Sequence, residues 1–496
     1  MALATGWGAF LRLHDLAAQS FWLDEAFSVA HARAILEHGY PLLPTGLVDW
    51  SYAISHYLMA LGLALFTDQH VGARVFSALA GAALIPAFYC FNRVVFRSRV
   101  QALAAAVLIA FMSYHIAWSR QARGYALLQL LVYLAMALWV RFLERRGPAA
   151  LVLALVAAAA AAFSHRGGYI AVVFMAVAGA ASLARDPAGW RGWLRRRAAW
   201  AGAAVAAALA CGIALCLTPA NVSVSSVLRG LAEGGSMDYA PMYLSFVWAL
   251  LGFVIVWAAA GAAAGLAARP ALVGPLLLAC LAYVFVICRR TDLFHLRYLL
   301  PVLPLVVAFA AHALDLALRG ARRFAGRGAR ATAATAVAVL FLLCVPWEAF
   351  TLRPMFYYLG FTEPQPDWRR ACRWVARDHE SGPDRGKPLA FVSAFPEFAD
   401  IYLRGRPLRK VYLACSLSGR PEDTLSAPLY TIAEPLADPA ALRDIGGYIV
   451  LDPLGLDRLA DKALRDYLRR LRPTCAVPGP FPIWIWKVRA GPIGSG

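Results

Sequence analysis

Long apolar stretches, separated by clusters of arginine, run through the first 350 residues of this chain. A helix that crosses a bilayer needs about 20 consecutive apolar residues. Such stretches lie at 71–92, 101–118, 125–141, 149–164, 168–184, 198–217, 242–268, 271–288, 299–318 and 331–350. The composition agrees, with 61% hydrophobic and 16% charged residues, where soluble domains carry about 25% charge. The sequence therefore predicts a mainly α-helical polytopic membrane protein with about 10–11 transmembrane helices. The net charge of +19 is nearly all arginine. Loop positioning and anionic lipid headgroups account for it, and nucleic acid is not needed as a partner.

Arginine placement orients the spans. One alternating set of loops holds Arg93, Arg97 and Arg99, then Arg141, Arg145 and Arg146, then the run from Arg185 to Arg197, then Arg269, then Arg319 to Arg330. By the positive-inside rule these loops are cytoplasmic. Parity then keeps residues 51–66, which are apolar but short, from spanning, so they should lie along the interface or re-enter. It also puts residues 20–28 and the tail after Pro346 outside. Outward loops should be poor in cations, yet they carry Arg120 and Arg123, His165 and Arg166, and Arg289, Arg290 and Arg297, with Arg74 near the same face. Each alone could reach toward headgroups from a helix end. Several together point to an anionic headgroup, because the planar guanidinium fork suits phosphate oxygens.

Asp24 and Glu25 are adjacent carboxylates in Ser-Phe-Trp-Leu-Asp-Glu-Ala-Phe-Ser, beside a membrane. A carboxylate there is costly, which makes it a functional candidate. The plainer role has Asp24 capping a helix over 25–38 that stops at Gly39, with Glu25 in the dipole-favoured first turn. Residues 40–49 form a loop broken by Pro41, Pro44 and Gly46, and residues 220–241 form a longer, glycine-bearing outward loop. The ten mostly apolar residues before Arg12 are too short to span, and the expectation is a first helix truncated upstream. The nine cysteines lack metal-site spacing. Cys372, Cys415 and Cys475 share the polar tail, where one disulfide could form.

From 351 onward the character changes. Strand-like runs at 389–394, 410–413, 447–452 and 482–488 alternate with helical ones at 368–379, 396–403 and 457–471. This predicts a small α/β domain over 351–496. It has no phosphate-binding glycine fingerprint, so its role should be to cover the membrane site or contact an acceptor.

The order of motifs carries a resemblance. Trp-Leu-Asp-Glu is followed by Leu-Pro-Thr-Gly, Arg74, Ser-Arg-Gln-Ala-Arg-Gly-Tyr, Ser-His-Arg-Gly-Gly-Tyr, and His-Leu-Arg-Tyr-Leu-Leu-Pro-Val-Leu-Pro. Over about residues 12–318 this resembles the membrane glycosyltransferases of the C-type fold, in the branch of protein O-mannosyltransferases and lipid A aminoarabinose transferases. The resemblance implies a polyprenyl-phosphate sugar donor and transfer on the outer face of the cytoplasmic membrane. It implies Asp24 as the catalytic carboxylate and Glu25 as its partner. Arg120, Arg123 and Arg297 would bind the donor phosphate, with Tyr125 and Tyr298 alongside. Arg74, His165, Arg166, Asp49 and His56 would line the site. Where many members carry His-Pro-Pro-Leu-Tyr, this chain has Asp49-Trp50-Ser51-Tyr52. Divalent metal is used by some members of the fold and not others, so the metal question stays open.

The chemistry is consistent with the residues. Asp24 could take the acceptor proton, and outward arginines could stabilise the leaving phosphate. A single displacement would invert the anomeric centre. The acceptor could be protein, a lipid A core or another envelope glycan. Two other readings use the same cations: a lipid-linked sugar transporter or flippase without chemistry, and an O-antigen ligase or polymerase with a lipid diphosphate donor. The absence of an internal repeat argues against the former, and the Asp24–Glu25 pair argues against both.

Overall fold

The computed structural model describes residues 1–50, 52–199, 202, 239–288, 295–326, 329–346, 349–353, 366–416, 424–425, 427–428, 430–436, 445–479 and 481–488. The expected span at 198–217, nearly all of the 220–241 loop, Arg289, Arg290 and the Arg166 side chain lie outside the described residues. In chain order the first ten helices are α1 (Ala2–Leu13), α2 (Leu23–His38), α3 (Ala53–Leu65), α4 (Gln69–Phe96), α5 (Arg99–Phe111), α6 (Ser113–Ser119), α7 (Tyr125–Arg145), α8 (Pro148–Ser164), α9 (Tyr169–Arg185) and α10 (Pro187–Arg196). Further apolar helices are Ala240–Leu251, Val254–Ala268, Pro270–Cys288, Leu303–Phe324 and Arg330–Cys344.

Four of these are long and apolar enough to cross a membrane: α4, α7, Pro270–Cys288 and Leu303–Phe324. Two bent pairs raise the number to six, and α3, α5, α8 and Arg330–Cys344 are apolar but shorter. The expected mainly helical polytopic membrane protein is what the structure has, and among the described residues several of the predicted spans are short or broken helices. The stretch 242–268 shows why. It breaks at Gly252, whose φ of 50° and ψ of −133° suit only glycine, and its halves bend by 102°. Asp186 separates α9 from α10, which opens on Pro187, with a bend of 105°. Hydropathy does not register the break at Gly252, because it sums side chains and ignores backbone angles, whereas α9 ends within a residue of the span expected at 168–184.

By its contacts the chain forms two units. The first comprises Met1–His14, Trp50–Ser55 and Arg74–Met355; the second comprises Asp15–Asp49, His56–Ala73 and Phe356–Gly496. Most of the first loop, expected to belong with the membrane helices, groups with the tail.

In the first unit small residues let helices touch. A Cβ on Gly261 would fall 1.9 Å from the Phe309 carbonyl oxygen, and one on Gly168 2.3 Å from the Ala161 carbonyl carbon. Small residues at these positions therefore serve close helix packing. Buried polar groups pair across helices, as an apolar surrounding requires. Gln101 donates to Asn92 Oδ1 (2.7 Å) and the Ala308 carbonyl (3.0 Å), and the Tyr133 hydroxyl donates to the Pro301 carbonyl (2.8 Å).

In the second unit the tail builds a six-stranded sheet of β1 (Leu389–Ser393), β2 (Leu408–Tyr412), β5 (Glu434–Pro435), β6 (Gly447–Leu451), β7 (Cys475–Val477) and β8 (Ile483–Val488), in the order β5-β2-β1-β6-β8-β7. A two-stranded piece pairs β3 (Cys415–Ser416) with β4 (Thr424–Leu425). Strands β5, β2, β1 and β6 run parallel, with Leu389 opposite Leu408 and Phe391 opposite Tyr448, while β8 and β7 are antiparallel. All of β1 is buried, as its unbroken apolar run requires in a covered parallel sheet. Asp367 caps the helix Trp368–Ser381 by accepting from the Arg370 amide (3.1 Å). The helix expected at 457–471 is shorter, Lys462–Arg470, capped by Asp461, and a separate short helix, Pro453–Asp457, capped by Asp452, precedes it. Cys372, Cys415 and Cys475 are free thiols, so the anticipated disulfide is not formed.

Candidate active site

The first unit gathers its arginines and aromatics at the turn between α6 and α7. Residues 120–124 leave α6, and the Arg123 amide donates to the Gln121 carbonyl (2.8 Å) to close the turn. Ser77 on α4 fixes it by donating to the Arg123 carbonyl (3.1 Å). Gly124 is required there, since a Cβ would come within 2.3 Å of Ser55 Oγ. Tyr125 then opens α7.

Around Tyr125 the predicted residues converge. The Arg123 guanidinium lies over the Tyr52 ring (5.4 Å) and the Tyr125 ring (6.0 Å). Arg297, buried in the short 3-10 helix Leu296–Leu299, lies over Trp118 and Tyr298, each at 6.0 Å. Both guanidiniums are within electrostatic range of the Tyr125 phenol. His165 completes the group, with ring centroids 4.9 Å from Tyr125, 5.3 Å from Tyr52 and 6.4 Å from Tyr298. Its Nδ1 accepts from the Gly167 amide (2.9 Å), which leaves Nε2 as the donor of the neutral ring. Tyr243 and Tyr283 pin the Arg297 segment by donating to the carbonyls of His295 (3.2 Å) and Tyr298 (2.7 Å). The cluster thus brings two guanidiniums onto aromatic faces, and the guanidinium is the side chain whose planar fork suits phosphate oxygens.

Arg120 sits differently. Its Nη1 donates to the carbonyls of Leu11 (3.0 Å), Arg12 (3.3 Å) and His14 (2.5 Å), closing the C-terminal end of α1. Arg12 does the same one turn earlier, on Gly8, Ala110 and Ile109 carbonyls and His115 Nδ1. Arg74 is fully buried in α4. Sequence reasoning missed Trp118 and Tyr52. Tyr52 has a positive φ of 57°, unusual for an aromatic residue and typical of functional positions. Its signal was present in the Asp-Trp-Ser-Tyr stretch, read only as a departure.

The second unit holds the carboxylates. Trp22, not Asp24, is the N-cap of α2, and Glu25 at the third helical position accepts from the Trp22 amide (3.3 Å). Glu25 is buried in that capping contact, whereas Asp24 is half-exposed in the same first turn, where the helix dipole favours negative charge. The residues leading into Asp24 are fastened from the tail. The Tyr402 hydroxyl accepts from the Phe21 amide (2.8 Å) and meets Ser20 Oγ (3.1 Å) and His70 Nε2 (3.2 Å); the Arg369 amide donates to Ser20 Oγ (3.1 Å). Phe21 stacks on His70 at 4.4 Å.

Asp49 and His56 meet through His31, which the sequence did not single out. His31 Nε2 is 3.0 Å from Asp49 Oδ2, Nδ1 is 2.7 Å from the Phe27 carbonyl, and its ring stacks on His56 at 4.4 Å. Among the described residues no three His, Cys, Asp or Glu side chains are grouped to hold a metal, and no step below is routed through one. Behind Tyr402, burial pushes the carboxyl of Glu397 up to about 8, and its Oε2 has no hydrogen-bond partner among the described residues.

Residues 53–214 match the family described as dolichyl-phosphate-mannose-protein mannosyltransferase. Among curated proteins, none matches in sequence. In fold the chain is similar to ArnT from Cupriavidus metallidurans bound to undecaprenyl phosphate, at a TM-score of 0.57 and 15% identity, covering 98% of this chain and 97% of that one. It is also similar to the oligosaccharyltransferase AglB from Archaeoglobus fulgidus in complex with an inhibitory peptide and a dolichol-phosphate, at 0.56 and 14%, covering 82% and 63%. The protein is a multi-pass membrane protein with the fold of the C-type glycosyltransferases. Within that fold it resembles the branch of protein mannosyltransferases and ArnT.

Proposed function

We propose that the protein is an inverting glycosyltransferase that moves a sugar from a polyprenyl-phosphate donor to an envelope acceptor, on the outer face of the cytoplasmic membrane. The carrying observation is the Tyr125 cluster, where Arg123 and Arg297 lie on aromatic faces within one electrostatic neighbourhood. The undecaprenyl phosphate bound to ArnT and the dolichol-phosphate bound to AglB support a lipid phosphate as its ligand.

In this mechanism the acceptor oxygen forms a bond to the anomeric carbon as the bond from that carbon to the donor phosphate oxygen breaks. The acceptor proton passes to the Asp24 carboxylate. The departing polyprenyl phosphate gains charge, which Arg123 and Arg297 stabilise; His165 Nε2–H adds a neutral donor. Arg120 acts as a clamp under α1 that holds the 120–124 turn, and Glu25 keeps the first turn of α2 closed. The α/β domain supports the segment before Asp24 through Tyr402.

The test is transfer from a synthetic polyprenyl-phosphate sugar in detergent or nanodiscs. Asp24→Asn, at a half-exposed position, should fold normally and lose about 10²–10⁴-fold in kcat. Undiminished transfer by this variant refutes the assignment. Mass spectrometry of envelope glycans and polyprenyl-phosphate sugars in a deletion strain identifies donor and acceptor together.

A further inference from the structure

The second unit contains a cavity of about 560 Å³, within the range that holds small ligands. Arg33, Arg369, Arg373 and Arg404 line it, against one carboxylate, Asp68. Asp68 is already engaged: its Oδ1 accepts from the amides of His70 (2.7 Å) and Val71 (3.2 Å), capping the start of α4. Three elements far apart in sequence deliver the arginines: α2, the helix Trp368–Ser381, and the residues just after Glu397–Tyr402.

The cations are held mainly by neutral oxygens. Arg33 donates to the Asp400 carbonyl (3.1 Å) and Gln69 Oε1 (2.7 Å), and Arg369 to the Ala17 carbonyl (2.7 Å). The Asp400 carboxylate is taken by Lys410 and Thr431. Glu37 approaches Arg404 only at 3.8 Å, with both side chains exposed. Arg373 has no acidic partner among the described residues. Burial, and then repulsion from Arg404, hold the Arg33 guanidinium below its ordinary value. Gathering like charges in one concavity is unfavourable unless an anion occupies it. One wall is apolar, formed by Leu36, Leu63 and Phe66, of which Leu36 and Phe66 stand exposed.

We infer that this cavity binds the phosphate-bearing headgroup of an anionic amphiphile, with its chains along the apolar wall of Leu36, Leu63 and Phe66. Arginine forks suit phosphate oxygens, and the leucines suit acyl chains. The cavity belongs to the second unit and the Arg123 and Arg297 cluster to the first, and binding here does not require glycosyl transfer.

The experiment uses the full-length protein in nanodiscs of phosphatidylcholine mixed with phosphatidate, and native mass spectrometry to count retained lipid. Wild type should retain phosphatidate at least about tenfold over phosphatidylcholine, equivalent to about 1.4 kcal/mol. Arg373→Gln with Arg404→Gln, both exposed side chains, should bring the ratio to near one. Arg377→Gln, exposed on the same helix outside the cavity, should leave it unchanged. Inorganic phosphate serves as the second probe, read by thermal stabilisation. If phosphate stabilises wild type but not the double variant while phosphatidate is not retained, a soluble phosphate compound is the source and the amphiphile is overturned. Equal retention of phosphatidate by wild type and the double variant, with no response to phosphate, overturns the site.

Discussion

Glu397→Gln isolates a pH dependence that the fold builds into the support of Asp24. Glu397 begins the short helix whose other end carries Tyr402, and Tyr402 holds Ser20 and Phe21. Burial pushes its carboxyl from an ordinary 4.5 up to about 8. A carboxyl with a raised folded value keeps its proton more tightly when folded. Its contribution is therefore fully present below about 4.5 and is lost as pH rises toward about 8. Asp452, pushed by burial up to about 6, acts in the same direction at lower pH. Between pH 6 and 8 the loss thus belongs to Glu397: about two pH units, or about 3 kcal/mol and a hundredfold rise in the opening equilibrium. Glutamine keeps the shape and cannot ionise. Hydrogen exchange of peptides covering β1 and Glu397–Tyr402, corrected for intrinsic rates, should show wild-type protection falling over that range and a flat response in Glu397→Gln. An identical fall in both proteins refutes the reasoning, as does a flat wild type.

Other predictions follow from single contacts. Arg120→Met removes the donor from three carbonyls at the end of α1 and should cost roughly 2–4 kcal/mol of stability, with donor KM little changed in protein that stays folded. A raised donor KM at unchanged thermal stability would instead put Arg120 on the phosphate. Arg123→Ala should weaken donor binding by about 1.5–3 kcal/mol, roughly 10- to 150-fold, in a titration with polyprenyl phosphate, and an unchanged affinity removes it from the site. Gly124→Ala drives a methyl to within 2.3 Å of Ser55 Oγ and should lower transfer; adding Ser55→Gly should restore it. No rescue would show that the approach to Ser55 is not what requires Gly124.

The cluster and the acids were legible to different degrees. Arg123, Tyr125, Arg297 and Tyr298 were readable because cations on the wrong side of the charge-sorting pattern stand out in a one-dimensional scan. Arg120 stood out for the same reason and yet belongs to a helix end, since sidedness says nothing about which oxygens a guanidinium reaches. Tyr52 and Trp118 were hidden because aromatics are common in an apolar chain; only proximity to Arg123 and Arg297 distinguishes them. Asp24 and Glu25 were found as a pair, but the helix starts two residues earlier than expected, which gives the cap contact to Glu25. His31 was missed because a histidine in an amphipathic helix carries no pattern of its own.

Apolar length, arginine alternation and the change of character after residue 351 determined the class of protein and its α/β tail, since these depend on solvation summed over local stretches. The tertiary structure decided where the long apolar runs break, as at Gly252, and which short strands complete the sheet. It also sorted the cations: Arg123 and Arg297 lie on aromatic faces, Arg120 on the carbonyls of α1, and Arg33, Arg369, Arg373 and Arg404 around a cavity. A guanidinium's role depends on the atoms within about 3–6 Å of it, and those come from residues up to hundreds of positions away.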